Sequence, residues 1–212
     1  MHMKLYNKIA DRFHGDIKVA QGVPYSIAAL EDLLAVGSSD GSVRIFDHNE
    51  REIKTLVDKQ VKSQAVTSLD IKRLKENRNI YVVSGHAKGH IVLYEIKGLL
   101  VDRLGYKEVM KDVRDELLGN ISFKHCKTID DIHKTTVLQV KFVGDFRRDL
   151  QVISCDLNGI VYLTGFEEGL FSFNARKECL MKKRLNSVYS LAPLVNVSLR
   201  ADSTQEFLRV IH

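Results

Sequence analysis

The stretch Leu34-Ala-Val-Gly-Ser-Ser-Asp-Gly-Ser-Val-Arg-Ile-Phe-Asp47 contains two apolar runs on either side of an Asp40-Gly41 pair. An Asp-Gly or Asn-Gly pair between alternating apolar residues is a strong β-hairpin signal, because these residues tolerate the positive φ angles of hairpin turns. After the pair, Val43 and Ile45 lie two positions apart, so they are predicted to share one face of a sheet. The stretch therefore predicts a β-hairpin with one face directed towards a core.

The same pattern occurs twice more, which makes it an internal repeat. The second copy is Val82-Val-Ser-Gly-His-Ala-Lys-Gly-His-Ile-Val-Leu-Tyr-Glu95, and the third is Val152-Ile-Ser-Cys-Asp-Leu-Asn-Gly-Ile-Val-Tyr-Leu-Thr-Gly165. Lys88 suits the first turn position less well than Asp or Asn, and its turn is inferred from the other two copies. Six residues are interpreted as structural turn formers, with no partner contact assigned to them: Asp40, Gly41, Lys88, Gly89, Asn158 and Gly159.

Further strands are predicted around each hairpin. Alternating segments precede the hairpins at Ser26–Leu30, Val66–Ile71 and Val137–Phe142, and a similar segment at Val188–Ala192 would begin a fourth unit. Strands are also predicted after the hairpins, at Glu52–Val57 and Leu170–Phe173. Four short strands per unit are typical of a β-propeller blade. The sequence therefore predicts an all-β fold of about three and a half β-propeller blades, forming one partial propeller domain over residues 1–212.

Spacing between the turns locates an insertion. The first two turn glycines are 48 residues apart, near the usual blade length of about 40–50 residues, whereas the next is 70 residues further on. The excess falls at residues 99–120, within the second blade, where apolar residues recur at helical spacing. This predicts a helical insertion, interpreted as a surface helix rather than a partner-docking one. The N-terminal segment 1–21 fits either a short helix or an edge strand at Asp16–Ala20.

Three blades and the start of a fourth are fewer than the usual propeller ring contains. The ring is therefore expected to be incomplete: the chain is a fragment, a reduced paralogue, or part of a ring that another chain closes. An incomplete ring leaves sheet faces and strand edges uncovered, so self-association is expected.

Composition excludes several classes of protein. Apolar residues make up 44% and charged residues 28%, which is typical of a folded globular chain rather than a disordered one. No apolar run reaches the roughly 18–20 residues of a membrane span, and no signal-peptide core follows Met1. Three cysteines fit a reducing cytosolic setting rather than a disulfide framework. The net charge is +5, and the basic clusters at Arg147-Arg148 and Lys182-Lys183-Arg184 are interpreted as solvated surface rather than a nucleic-acid or phosphoinositide site.

Motifs for catalysis or metal binding are weak. His86 and His90 flank a turn rather than a helix, and no third ligand lies at a recognised spacing, so no metal site is predicted. The segment between Gly85 and Gly89 is followed by a strand, whereas a phosphate loop requires a helix. His125-Cys126 and His133 form another loose cluster, and its histidines are interpreted as loop residues. Cys155 is interpreted as a core residue. No catalytic residue and no cofactor are predicted.

The segment Ser38–Asp47 resembles the end of a WD repeat, with Phe-Asp where that family has Trp-Asp. The resemblance implies WD-like β-propeller blades. It also implies an alternative for His133, a bond to the backbone of a neighbouring strand, as the equivalent residue makes in WD repeats. A closer resemblance is to the amino-terminal propeller of the vacuolar protein sorting-associated protein 8 family. The likeness spans about Gly22 to Gly169 and is carried by these stretches: Gly22-Val-Pro-Tyr-Ser-Ile-Ala, Leu34–Gly41 with Ile45–Asp47, Gly85-His-Ala-Lys-Gly-His-Ile-Val-Leu-Tyr, Asp131-Ile-His133, Val137–Phe142 and Asp156–Val161.

The resemblance implies a role in endosomal vesicle tethering and vacuolar or lysosomal protein sorting. That family supplies the subunit of the CORVET tethering complex that engages an early-endosomal Rab GTPase. It implies a non-catalytic module in the cytoplasm, peripheral on the endosomal membrane through its partners, which would be a Rab GTPase and tethering-complex subunits. The loops that bind these partners are not identified by the sequence.

Two other functions remain open from the residues. One is a generic WD-repeat scaffold in another multiprotein complex, such as a chromatin or ubiquitin-ligase adaptor. The other is a propeller enzyme, which would need acidic or histidine side chains converging on a closed channel. The second is disfavoured, because an incomplete ring has no closed channel.

Overall fold

The computed structural model describes residues 2–4, 16–18, 22–30, 33–47, 51–74, 79–98, 121–144, 150–169 and 173–181. Within these ranges the structure contains fourteen β-strands and no helix. The short strands β1 (His2–Lys4) and β2 (Asp16–Lys18) pair antiparallel as a separate two-stranded sheet. Of the two alternatives for the N-terminal segment, the edge strand predicted at Asp16–Ala20 agrees with the strand at Asp16–Lys18.

The other twelve strands form three four-stranded antiparallel sheets, each in chain order. Blade 1 contains β3 (Pro24–Leu30), β4 (Leu33–Ser38), β5 (Val43–Asp47) and β6 (Glu52–Leu56). Blade 2 contains β7 (Val66–Arg73), β8 (Ile80–His86), β9 (Ile91–Lys97) and β10 (Ser122–Ile129). Blade 3 contains β11 (Val137–Val143), β12 (Leu150–Asp156), β13 (Val161–Glu168) and β14 (Phe173–Met181). This confirms the predicted all-β architecture of propeller blades.

The outer strands differ from the sequence-based expectation. The fourth strand of blade 3 is Phe173–Met181; of the predicted strand Leu170–Phe173, residues 170–172 lie outside the described ranges. His125, which was expected in a loop, lies within β10, as does Cys126. Outer strands have one long edge and much of their surface in solvent, so their sequences are polar and lack a clear alternation.

Two apolar cores hold the blades together. One lies between blades 1 and 2 and includes Val43 and Ile45. The other lies between blades 2 and 3 and includes Ile91 and Leu93, which occupy the corresponding positions one blade later. In each case the residues after the hairpin turn face the next blade, as the alternation predicts.

Two glycines allow the blades to approach closely. A Cβ on Gly37 would lie 2.4 Å from Val66 Cγ1, and a Cβ on Gly85 would lie 2.5 Å from Val137 Cγ1. Val66 and Val137 are the first residues of the next blades. The corresponding position in blade 3 is Cys155, which pairs with Val161 and is 1% exposed. Burial raises the pKa of the Cys155 thiol to about 11, which suits a core residue rather than a reactive thiol.

Hydrogen bonds at the inner edge fix the register between blades. The backbone amides of Val140 and Phe142 donate to Ser68 Oγ and Asp70 Oδ2 at 3.0 and 2.8 Å. Ser26 Oγ donates to the backbone carbonyl of Val66 at 2.9 Å. Because the innermost strand has an unpaired edge, these side chains satisfy groups that a neighbouring strand would otherwise bond.

Several sequence predictions fall on residues outside the described ranges. They are the helical insertion at 99–120, the strand at Val188–Ala192, and the clusters Arg147-Arg148 and Lys182-Lys183-Arg184. Among the residues that the structure does describe, no helix is long and apolar enough to cross a membrane.

Candidate functional site

Six loops lie together at one end of the three blades, and we call this surface the turn rim. It consists of the hairpin turns 39–42, 87–90 and 157–160 and the connectors 22–23, 57–65 and 130–136. The loops share this end because the second strand of each blade ends there and the first strand begins there. A rim of loops on rigid strands is the usual place for binding residues.

The three hairpin turns have the same geometry. In each, the glycine amide donates to the carbonyl three residues earlier: Gly41 to Ser38 at 3.2 Å, Gly89 to His86 at 3.1 Å and Gly159 to Asp156 at 2.9 Å. The glycines have φ angles of 86°, 90° and 73°.

The residue before each glycine, Asp40, Lys88 or Asn158, has no positive φ. The left-handed conformation therefore falls on glycine alone, as in hairpins that combine a turn with a glycine bulge. This explains why Lys88 is accommodated at a position where Asp or Asn was expected to be needed.

The connectors lock the turns in place. Ser39, Ala87 and Leu157 donate their backbone amides to the carbonyls of connector residues Val23, Ala65 and Thr136, at 2.8, 3.0 and 2.9 Å. On the other side of the first turn, Ser63 donates its amide to the Asp40 carbonyl at 2.8 Å. Each turn of blades 1 and 2 is thus packed between the connector of its own blade and that of the next.

An ionic network supports the turn of blade 1. Arg44 is 4% exposed, and its guanidinium donates to Ser38 Oγ at 2.8 Å and to Asp40 Oδ2 at 3.1 Å. Ser42 donates to Asp40 Oδ1 from its amide and its hydroxyl. Burial alone would raise the pKa of Asp40, but the Ser42 and Arg44 hydrogen bonds outweigh it and lower that pKa. The period-two alternation of β5 places Arg44 on the face opposite Val43 and Ile45, and the sequence gives no indication that this face is buried as well.

A Ser-His-Asp arrangement supports the turn of blade 3. His133 Nε2 lies 2.9 Å from Ser154 Oγ, and His133 Nδ1 lies 3.4 Å from Asp156 Oδ2. All three residues are between 0 and 3% exposed. Burial lowers the pKa of His133 despite the neighbouring carboxylate.

The arrangement resembles that of a hydrolase triad, but the buried Ser154 hydroxyl is sealed from any substrate. Asp156 instead accepts from the amides of Asn158 and Ile160, each at 3.0 Å, so the network braces the turn. The expectation that His133 bonds a strand backbone is wrong, because its Nε2 bonds the Ser154 hydroxyl and its Nδ1 faces the Asp156 carboxylate.

Blade 2 uses a histidine at the position that Asp156 occupies in blade 3. His86 Nε2 lies 2.9 Å from Ser84 Oγ, and His86 Nδ1 lies 3.1 Å from the Gln64 carbonyl. His86 is fully buried, and burial lowers its pKa to about 4. Among the described residues, which include His86 and His90, no group of three or more histidine, cysteine or carboxylate side chains could hold a metal ion.

Acidification is expected to destabilise the chain through His86. In the unfolded chain this histidine has a pKa near 6.5, so between pH 6.5 and 4 the unfolded state binds a proton that the native state does not. Above pH 6.5 the burial of neutral His86 therefore leaves the free energy of unfolding unchanged. As the pH falls from 6.5 to 4, that free energy decreases by about 3 kcal/mol through His86, at 1.36 kcal/mol per pKa unit. Urea unfolding at a series of pH values measures this decline.

The matched variant for this prediction is His86→Asn. It removes the titrating ring and is expected to show a shallower decline of stability between pH 6.5 and 4. His133 contributes in the same direction in both proteins. Identical pH slopes for the variant and the parent would show that His86 does not titrate as described.

Comparison with known proteins identifies the repeat. A model of the Vps8 β-propeller family matches residues 1–210. A comparison with curated protein sequences finds no match.

Solved structures of similar fold include Sqt1 of Saccharomyces cerevisiae, at 11% identity and a TM-score of 0.49, covering 76% of this chain and 36% of that one. They also include the WD40 domain of SCAP from fission yeast, at 10% identity and a TM-score of 0.46, covering 76% and 32%. A third is the computationally designed Ika8 protein, at 13% identity and a TM-score of 0.44, covering 77% and 38%. The chain spans about a third of the length of these structures.

Proposed function

This chain belongs to the Vps8 β-propeller family, and we propose from that membership that it is a non-catalytic interaction module of endosomal vesicle tethering. It engages a Rab GTPase in its GTP-bound state, together with subunits of a tethering complex. Its place is the cytoplasm, where its partners bring it to the endosomal membrane.

The build of the turn rim supports a binding role. Its six loops are held by backbone hydrogen bonds of 2.8–3.0 Å and by buried side-chain networks below them. A surface fixed before binding loses little conformational entropy when a partner docks, which favours affinity. The Ser-His-Asp group that resembles catalytic residues, His133 with Ser154 and Asp156, makes its hydrogen bonds within the network that supports the turn of blade 3. This favours a binding role over catalysis.

A rigid rim also fits the way a GTPase is recognised. The switch segments of a small GTPase are ordered by the γ-phosphate and released after hydrolysis. A preformed surface binds the GTP-bound state more tightly, because the switch segments are already ordered there. In the GDP-bound state, binding would have to order these segments first, at a cost in conformational entropy. The module would thereby distinguish the GTP-bound Rab from the GDP-bound Rab by binding alone, without catalysing a reaction.

The test is a pull-down on the immobilised full chain. Early-endosomal Rab is loaded with a non-hydrolysable GTP analogue in one sample and with GDP in another. We expect retention of the GTP-analogue form alone, and a Rab from a late compartment with the same analogue serves as the specificity control. Equal retention of both nucleotide states, or none by a folded sample, would instead favour a generic WD-repeat scaffold of another complex.

A further inference from the structure

Three lysines of the turn rim carry an inference that rests on the proposed function and makes it more specific. We propose that Lys62, Lys88 and Lys134 bind an acidic surface of a folded protein partner, which under the proposed function is the GTP-bound Rab. These residues would then supply much of the electrostatic attraction between the two proteins.

The three lysines lie on adjacent loops. Lys88 is in the hairpin turn 87–90, and the amide of Ala87 donates at 3.0 Å to Ala65, in the connector that carries Lys62. On the other side, Thr136 Oγ1 donates at 2.9 Å to the Ala87 carbonyl, from the connector that carries Lys134. The turn with Lys88 therefore lies between the two connectors, and the three cations follow one another around the rim.

Their backbone positions are fixed by buried neighbours. Lys62 directly follows Val61, which is 0% exposed, and Lys134 directly follows His133, which is 3% exposed. Lys88 precedes Gly89, whose Cα packs against the His133 carbonyl. The side chains are exposed while their attachment points are anchored. This arrangement presents charge at fixed places on the surface.

The charge of these lysines is not neutralised within the described part of the chain. None of the three has an ion pair there, whereas nearby carboxylates are already engaged. Asp40 pairs with Arg44 at 3.1 Å, Asp58 lies 3.4 Å from His125 Nε2, and Asp131 pairs with Lys177. Three of the four carboxylates of the rim are engaged in this way, Asp130 being the fourth, so the lysines keep positive charge that is free to attract an acidic partner.

Apolar residues on the same rim favour a protein over a lipid surface. Val23, Val57 and Leu157 are 42%, 50% and 64% exposed, and a protein interface combines such apolar contacts with charged residues at its margin. Asp130 is also exposed on this rim, where it would be repelled by a uniformly anionic membrane. A surface that carries both positive and negative charges at fixed positions suits a folded protein, whose own charges are also at fixed positions, better than a membrane.

The experiment measures the affinity of the full chain for early-endosomal Rab loaded with the GTP analogue. The test variant is Lys62→Glu/Lys88→Glu/Lys134→Glu. The control variant, Arg51→Glu/Lys54→Glu/Arg176→Glu, makes the same change in net charge at exposed positions away from the rim. Melting curves of both variants are compared with the parent to show that they fold. We expect at least about a tenfold loss of affinity for the rim variant and less than about threefold for the control.

Each result separates the two proposals. Selective loss by the rim variant supports the lysine site. Binding by the rim variant equal to that of the parent overturns the lysine site and leaves the Rab function standing. No binding by the folded parent rejects the proposed function and the lysine site with it. Co-sedimentation with phosphatidylserine vesicles that depends on the three lysines, with unchanged Rab affinity, overturns the protein partner and assigns the surface to a membrane.

Discussion

Gly89→Ala is expected to lower the free energy of unfolding by about 3–5 kcal/mol, because it combines two separate penalties. Gly89 has a φ of 90°, which strains an L residue, and a Cβ there would lie 2.2 Å from the His133 carbonyl oxygen. That oxygen belongs to backbone, so the contact cannot be relieved by rotating a side chain. Urea unfolding followed by circular dichroism measures the loss.

Two other glycines separate these penalties. Gly144 also has a φ of 90°, but among the described residues other than its chain neighbours the nearest atom to its Cβ position is Gln151 Oε1 at 3.6 Å. Gly144→Ala is therefore expected to cost only the backbone strain, about 1–2 kcal/mol. Gly165 has neither feature, since it has no positive φ and no atom of the described residues beyond its chain neighbours lies within 4 Å of its Cβ position. Gly165→Ala is therefore expected to change stability by less than about 0.5 kcal/mol. Equal losses in all three variants would contradict the close packing of turns between connectors.

Asp156→Ala is expected to cost about 3–5 kcal/mol, because it removes one partner of a buried polar network. The carboxylate accepts from the amides of Asn158 and Ile160 and faces His133, and its side chain is 0% exposed. Truncation leaves these groups buried without the acceptor. The loss is measured as a shift of the urea midpoint at neutral pH.

Asp131→Ala is the matched control for Asp156→Ala. Asp131 also carries an ion pair, with Lys177, but its side chain is 70% exposed. Solvent screens that pair, so its removal is expected to cost no more than about 1 kcal/mol. If the two variants lost the same stability, the network below the rim would be no stronger than a surface contact.

The inner strands of each blade could be predicted from the sequence because three signals coincide there. Turn glycines, flanking small polar residues and period-two alternation all recur in the three hairpins. The outer strands β10 and β14 lack these signals, since many of their side chains are exposed or half-buried and need not be apolar. The strands of a propeller blade are thus predicted best from the sequence where the blade packs against its neighbours.

The polar networks of the rim were less predictable. His133 was recognised as unusual, but its partners Ser154 and Asp156 lie 21 and 23 residues later, on a strand that only the fold brings near. A usable signal was present in the repeat itself, because Ser84 and Ser154 occupy the same position in two blades. Arg44 was the hardest to predict, since a lone arginine in an alternating strand normally points to solvent.

The most direct test of the central claim, that the turn rim is the partner surface of a tethering module, is hydrogen–deuterium exchange. The full chain is compared alone and with early-endosomal Rab carrying the GTP analogue. We predict slower exchange in the rim loops 57–65, 87–90 and 130–136 with the GTP-analogue form, and no change with the GDP form. Protection confined to strands away from these loops, or protection that is the same for both nucleotides, would contradict the account.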